Sequence, residues 1–185
     1  MLKIFNKILL TFAIISMQFA FWSCSNDMEQ VQNDDFANKK QTKEYLERAN
    51  RYMVSQEKEK INDYIVNHKL DMVETGTGLR YRIVNQGDGD LIKKGNIVAL
   101  DYELRLWDGT LIYSSEENGK KVFMVGHGGV ESGLEEAVLY LHKGDEAEII
   151  IPSHLAYGLL GDGDKIPPKA TIVYKVKVVE NQIIN

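Results

Sequence analysis

The sequence predicts an α+β fold: an antiparallel five- to six-stranded sheet wrapped around one short helix, preceded by an N-terminal helical arm. Three observations lead there. All fifteen glycines and all three prolines lie at or beyond Gly76, so the chain changes texture once, near its middle. Beyond that point short alternating apolar runs are punctuated by glycine, as in a half-buried antiparallel sheet. Among them only the stretch from Ser132 has apolar residues at helical spacing.

The first segment is an address. Lys3 and Lys7 lead into an apolar stretch from Ile8 to Trp22, interrupted by Thr11, Ser16 and Gln18. That is too short and too interrupted for a membrane span, which needs about 20 apolar residues, and it fits an export signal over residues 1–23. The lone cysteine comes directly after it. Cys24 after such a segment resembles the bacterial lipoprotein lipobox, in which the cysteine becomes the acylated first residue of the mature chain. The match is partial, because aromatic Phe21 and Trp22 stand where that family has small or aliphatic residues. The resemblance implies a membrane contact through an N-terminal lipid. Ser25 after Cys24 resembles outer-membrane sorting, and the expected location is the cell envelope.

Residues 24–40 are polar and Asn/Asp-rich and read as a flexible tether. Residues 41–70 show a helical pattern, with Tyr45, Ala49, Tyr52 and Met53 and then Ile61, Tyr64, Ile65 and His68 at intervals of three to four. Two uses of this arm are open: packing on the next domain, or spacing and homodimerisation. Residues 71–185 form the main domain. Strands are expected over Leu79–Val84, Val98–Leu106, Leu111–Ser114, Lys121–Val125, Glu148–Ile151 and Ile172–Val178. Asp108-Gly109 supplies a turn and Pro152 a strand end. Ser132 and Glu135 have capping-box spacing, Leu134, Ala137, Val138 and Leu141 share one face, and His142-Lys143-Gly144 supplies the stop.

Composition excludes several classes. A formal charge of −5 gives no electrostatic reason to bind a phosphate backbone, so nucleic acid is not expected as a partner. One cysteine excludes a disulfide framework, and His68, His127, His142 and His154 lack metal-ligand spacing. Asp88-Gly89-Asp90 and Asp162-Gly163-Asp164 read as turns, not calcium loops. Ser114 and Ser115 have no neighbouring base in sequence, and no P-loop lysine comes after Gly126–Gly129. No cofactor or metal is expected.

The order of residues in the main domain resembles a known family. Tyr102, Asp108-Gly109, Ser114-Ser115, Phe123-Met124-Val125-Gly126, Gly133-Leu134-Glu135-Glu136, Lys143-Gly144-Asp145, Ala156-Tyr157-Gly158, Ile166-Pro167-Pro168 and Ala170-Thr171-Ile172-Val173-Tyr174 together resemble the FK506-binding-protein type of peptidyl-prolyl cis-trans isomerase. The N-terminal signal and the loop between Gly158 and Gly161 resemble its membrane-anchored bacterial branch, including the gliding-motility-associated isomerases. The resemblance implies a pocket for proline-containing polypeptides lined by Tyr102, Ile112, Tyr113, Phe123, Val130, Glu131, Leu134, Ile166 and Tyr174. It implies Tyr157 as the catalytic residue, its hydroxyl and the backbone N–H of Glu131 holding substrate carbonyls. Without it, most of these residues read as ordinary core.

This chain departs from the family pattern at four pocket positions. Tyr113 replaces an Asp, Leu134 a Trp, Ile112 an aromatic and Glu131 an aliphatic residue. The expected function is an isomerase of reduced or altered activity assisting exported proteins; the alternative is a non-catalytic holdase or assembly factor of the same fold. The isomerase reading requires that neither Tyr113 nor the Glu131 carboxylate plug the hollow so far that no room is left for a five-membered ring.

Overall fold

The computed structural model describes residues 26–182, with side chains from 39 to 182, so the signal segment 1–23 and Cys24 lie outside the described residues. The chain divides into two units, Met1–Tyr52 and Met53–Asn185. Helix α1, Asn26–Asn67, carries the described part of the first unit. It begins within the stretch read as a flexible tether. The polar residues there include no glycine or proline to break a helix, and Asn and Asp only weaken one. In the first unit Tyr45, Leu46 and Tyr52 are exposed.

The second unit begins at Met53, earlier than the boundary expected at residue 71. The reason is that the last turns of α1 are fastened to the sheet domain. Ile61 is buried, Asn62 accepts from Arg80 at 3.0 Å, and Lys58 pairs with Glu74 at 2.9 Å. Tyr64 stacks on His68 and lies 4.4 Å from the Trp107 ring.

The remaining elements are β1 Val73–Glu74, β2 Arg80–Asn85, β3 Ile97–Leu106, β4 Leu111–Ser114, α2 Ser115–Asn118, β5 Lys121–Met124, α3 Ser132–Val138, β6 Glu146–Ile151 and β7 Ile172–Gln182, with a 3-10 turn at Ser153–Leu155. The sheet is antiparallel, with strand order β1-β2-β6-β7-β3-β4 and β5 paired to β3. Its seventh member is the two-residue β1, too short to leave a periodic signal. Alternation along β3 is as expected: Val98, Leu100, Tyr102 and Leu104 are buried. Register then sets the site. Tyr102 faces Val176 and Leu104 faces Tyr174, while Val98 faces Phe123 and Leu100 faces Lys121. Cross-strand partners share a face, so Phe123 and Lys121 both stand on the buried side of β5.

Helix α3 through Leu134, Ala137 and Val138, and Leu141 in the turn after it, join one apolar core with β3, β5, β6 and β7. The helix is shorter than expected and is capped differently. Its N-cap is Glu131, without a side-chain cap, and it ends at Val138 because Leu139, Tyr140 and Leu141 tighten into three-residue turns. Ser132 therefore donates to the Leu155 carbonyl at 3.2 Å, and Glu135 accepts from the N–H groups of Gly126 and Gly128. Gly133 fixes the approach of helix to sheet: a Cβ there would lie 2.4 Å from Ile151 Cγ2. Gly133→Ala is expected to cost about 1–3 kcal/mol in urea unfolding, since overpacking outweighs any helix-propensity gain.

Candidate functional site

The site forms where three segments meet: the face shared by β3, β5 and β7, the start of α3, and the loop between β6 and β7. Tyr102, Ile112, Phe123, Leu134, Ile166 and Tyr174 are all buried members of one apolar cluster, and Tyr113, Val130 and Tyr157 pack against it. The Tyr102 and Tyr174 rings lie tilted, 5.9 Å between centroids. These nine of the positions singled out in the sequence thus belong to or pack against one cluster; Cys24 lies outside the described residues.

What the sequence did not foretell is how polar the centre of this cluster is. The Glu131 side chain enters it, with the residue only 7% exposed. Its carboxylate accepts from the Tyr157 hydroxyl, from the Tyr174 hydroxyl at 2.9 Å, and from the Lys121 ammonium at 3.3 Å. Lys121 Nζ also lies 2.8 Å from the Tyr174 hydroxyl and 5.2 Å and 5.3 Å from the centroids of the Tyr102 and Tyr174 rings. Glu131, expected to offer its backbone N–H, thus also brings its carboxylate into the cluster. An N-cap side chain with no capping bond to make turns inward, where three donors converge.

Electrostatics follow from this packing. Burial pushes the Glu131 carboxyl up, but Lys121, the Tyr157 hydroxyl, its own backbone N–H and the Tyr174 hydroxyl outweigh that and hold it below the ordinary value of 4.5. Burial and the Glu131 charge push Tyr157 and Tyr174 far up, so both hydroxyls keep their protons and remain donors. A carboxyl depressed on folding contributes stability that is complete above its unfolded pKa and is lost as pH falls through the folded one. Wild-type protein is accordingly expected to lose urea stability on acidification below about pH 4.5, and Glu131→Gln to lose less over that window.

The Tyr113 side chain packs against this cluster. Its hydroxyl donates to Asp162 Oδ2 at 2.6 Å, and that bond pushes its pKa up to about 12. Asp162 Oδ1 in turn accepts from the N–H groups of Asp164 and Ile166 at 2.9 Å and 2.8 Å. The residue replacing a family Asp thus reaches a carboxylate on the opposite loop. Sequence analysis missed Lys121 and Asp162. Lys121 stands two residues before Phe123, so strand alternation carried the signal; Asp162, read as part of a turn, had none.

Chemically, the cluster sets two protonated tyrosine hydroxyls and one carboxylate among apolar and aromatic side chains. A family model described as FKBP-type peptidyl-prolyl cis-trans isomerase matches residues 89–179. Over 107 residues the chain is 47% identical to the probable FKBP-type peptidyl-prolyl cis-trans isomerase FkpA of Neisseria meningitidis serogroup B, covering 57% of this chain and 39% of that one. FK506-binding protein 1 of Dictyostelium discoideum is 31% identical over 103 residues, 55% of this chain and 96% of the relative. The crystal structure of FkpA from Escherichia coli matches with a TM-score of 0.62 at 25% identity, covering 94% of this chain and 81% of that one. The chain thus spans about two fifths of its Neisseria relative and nearly all of its Dictyostelium one.

Proposed function

The chain belongs to the FKBP-type peptidyl-prolyl cis-trans isomerase family, and from that premise we propose that its apolar cluster takes up proline in a polypeptide and lowers the barrier to rotation about the preceding bond. The observation that carries this reading is the Tyr157 hydroxyl set beside buried Tyr102, Phe123, Leu134, Ile166 and Tyr174. Rotation costs about 18–20 kcal/mol because the planar amide loses its resonance on twisting. The planar form also separates more charge, so a water-poor site disfavours it more than the twisted one. The protein then needs only to hold the flanking carbonyls. The Tyr157 hydroxyl and Glu131 N–H are the donors for that task, and in the resting chain both help to hold the Glu131 carboxylate. Substrate binding exchanges that carboxylate for a carbonyl, which is the physical ground for reduced activity.

The same carboxylate favours a second reading, a holdase whose site grips chains without turning them over. The two separate in one experiment. The chain without residues 1–23 is added to a proline-limited refolding reaction, whose uncatalysed phase lasts tens to hundreds of seconds. Acceleration at substoichiometric protein supports the isomerase, and protection that saturates only at one equivalent supports the holdase. A shorter fragment beginning at residue 71 would omit Glu57, Lys58, Ile61 and Asn62, which are bound into the same unit.

The remaining parts of the proposal rest on sequence. Residues 1–23 direct export, Cys24 carries the lipid, and the domain serves exported clients from the outer membrane, as in the gliding-motility-associated branch. Homodimerisation through the arm is supported by Tyr45 and Tyr52, exposed at 69% and 66%.

A further inference from the structure

Tyr157 reaches the site on a loop between β6 and β7, and the two ends of that loop converge on one carboxylate outside the apolar cluster. Glu57, on the last turns of α1, accepts from the Ser153 N–H at 2.7 Å and from Thr171 Oγ1 at 2.6 Å through one oxygen, and from Ser153 Oγ at 2.9 Å through the other. Local sequence explains why an outside group is needed. The 3-10 turn Ser153–Leu155 has Pro152 at its N-cap, with no side chain able to cap it, so its first donor is left for another element to satisfy. The Ser153 carbonyl accepts from the Gly158 N–H at 2.8 Å, and the Gly158 carbonyl accepts from the Lys169 N–H at 2.8 Å. Glu57, Ser153, Gly158 and Lys169 therefore form one continuous chain of hydrogen bonds that passes directly beside Tyr157.

We propose that Glu57 is a positioning residue: a clasp supplied by the N-terminal helix, from outside the span 89–179 that defines the family, which closes the loop at both feet and fixes where the Tyr157 hydroxyl stands. The catalytic part of this inference rests on the isomerase reading above; the mechanical part does not. Hydrogen bonds to a charged acceptor are among the stronger ones, so their loss opens the loop locally while leaving the sheet closed.

The test is residue-resolved hydrogen exchange, with turnover measured in parallel, on the chain without residues 1–23. In Glu57→Ala the amides of Gly158 and Lys169 are expected to exchange about tenfold faster than in wild type, with Ile149 and Val176 unchanged. Glu57→Gln keeps one acceptor oxygen for the Ser153 N–H and should recover most of the protection at Gly158. Turnover in Glu57→Ala should fall about twofold to threefold in kcat, no more than removing the Tyr157 hydroxyl itself, with KM nearly constant, because the apolar side chains still bind proline while the donor is misplaced. Unchanged exchange at Gly158 and Lys169 overturns the clasp, and so does an equal rise throughout the sheet, which would mean general destabilisation. If wild type itself fails to accelerate isomerisation while the loop exchange shifts as expected, the isomerase reading falls and the clasp stands.

Discussion

Glu131→Ala is expected to make the protein less stable by about 2–3 kcal/mol and, at the same time, about tenfold more active on a neutral prolyl peptide. The two effects have one origin. The carboxylate is held by Lys121 and by the Tyr157 and Tyr174 hydroxyls, so removing it leaves an ammonium and two hydroxyls without their shared acceptor. Breaking one half of a buried ion pair typically costs about 3–5 kcal/mol; the Lys121 side chain is 20% exposed and can turn toward water, which places this case lower. On the proposed reading, the same deletion removes the internal group that a substrate carbonyl has to displace, and the backbone N–H at position 131 survives it. Adding Lys121→Met to Glu131→Ala removes the stranded charge at similar volume and should recover part of the loss, the rest staying with the buried Tyr174 hydroxyl, which then has neither partner. Urea unfolding and an isomer-specific peptide assay on the wild type and these variants read out both halves. A Glu131→Ala protein that loses stability without gaining turnover would show that the carboxylate does not stand in the substrate's way.

The contrast between what was legible and what was not runs along the same residues. Strand β3 announced itself because Val98, Leu100, Tyr102 and Leu104 alternate with polar residues, and a sheet buried on one face imposes that period. The α3 face was legible for the same reason at helical spacing. Lys121 was not recognised as part of the site, although it shares the face of Phe123. A lysine on a strand is usually solvated, and only the partner across the cluster offsets the cost of its burial. Side-chain direction at the start of α3 was likewise invisible. Ser132 and Glu135 have capping-box spacing, but which residue becomes the N-cap is decided by how the preceding chain enters, and Glu131 takes that place. The tertiary bonds of Glu57 span separations of 96 and 114 residues, and no local pattern carries such information.

Tyr157→Phe should have two different effects, depending on what occupies position 131. In wild type the hydroxyl already has an acceptor, so binding a peptide exchanges one hydrogen bond for another and the net gain is small. The substitution is then expected to lower kcat/KM only about threefold, while costing about 1–2 kcal/mol of stability because a buried carboxylate loses a donor. In the Glu131→Ala background the hydroxyl meets water before it meets substrate, and its bond to the carbonyl is made in a site that excludes water afterwards. There Tyr157→Phe should cost about tenfold in kcat/KM and almost nothing in stability. The two substitutions are therefore non-additive in both observables and with opposite sense, the signature of residues that share a partner. Additive effects on turnover would separate the Tyr157 hydroxyl from the Glu131 carboxylate during catalysis. An equal loss of stability in both backgrounds would mean that the hydroxyl stabilises the fold through some contact other than the carboxylate, and the resting arrangement drawn from these residues would have to be abandoned.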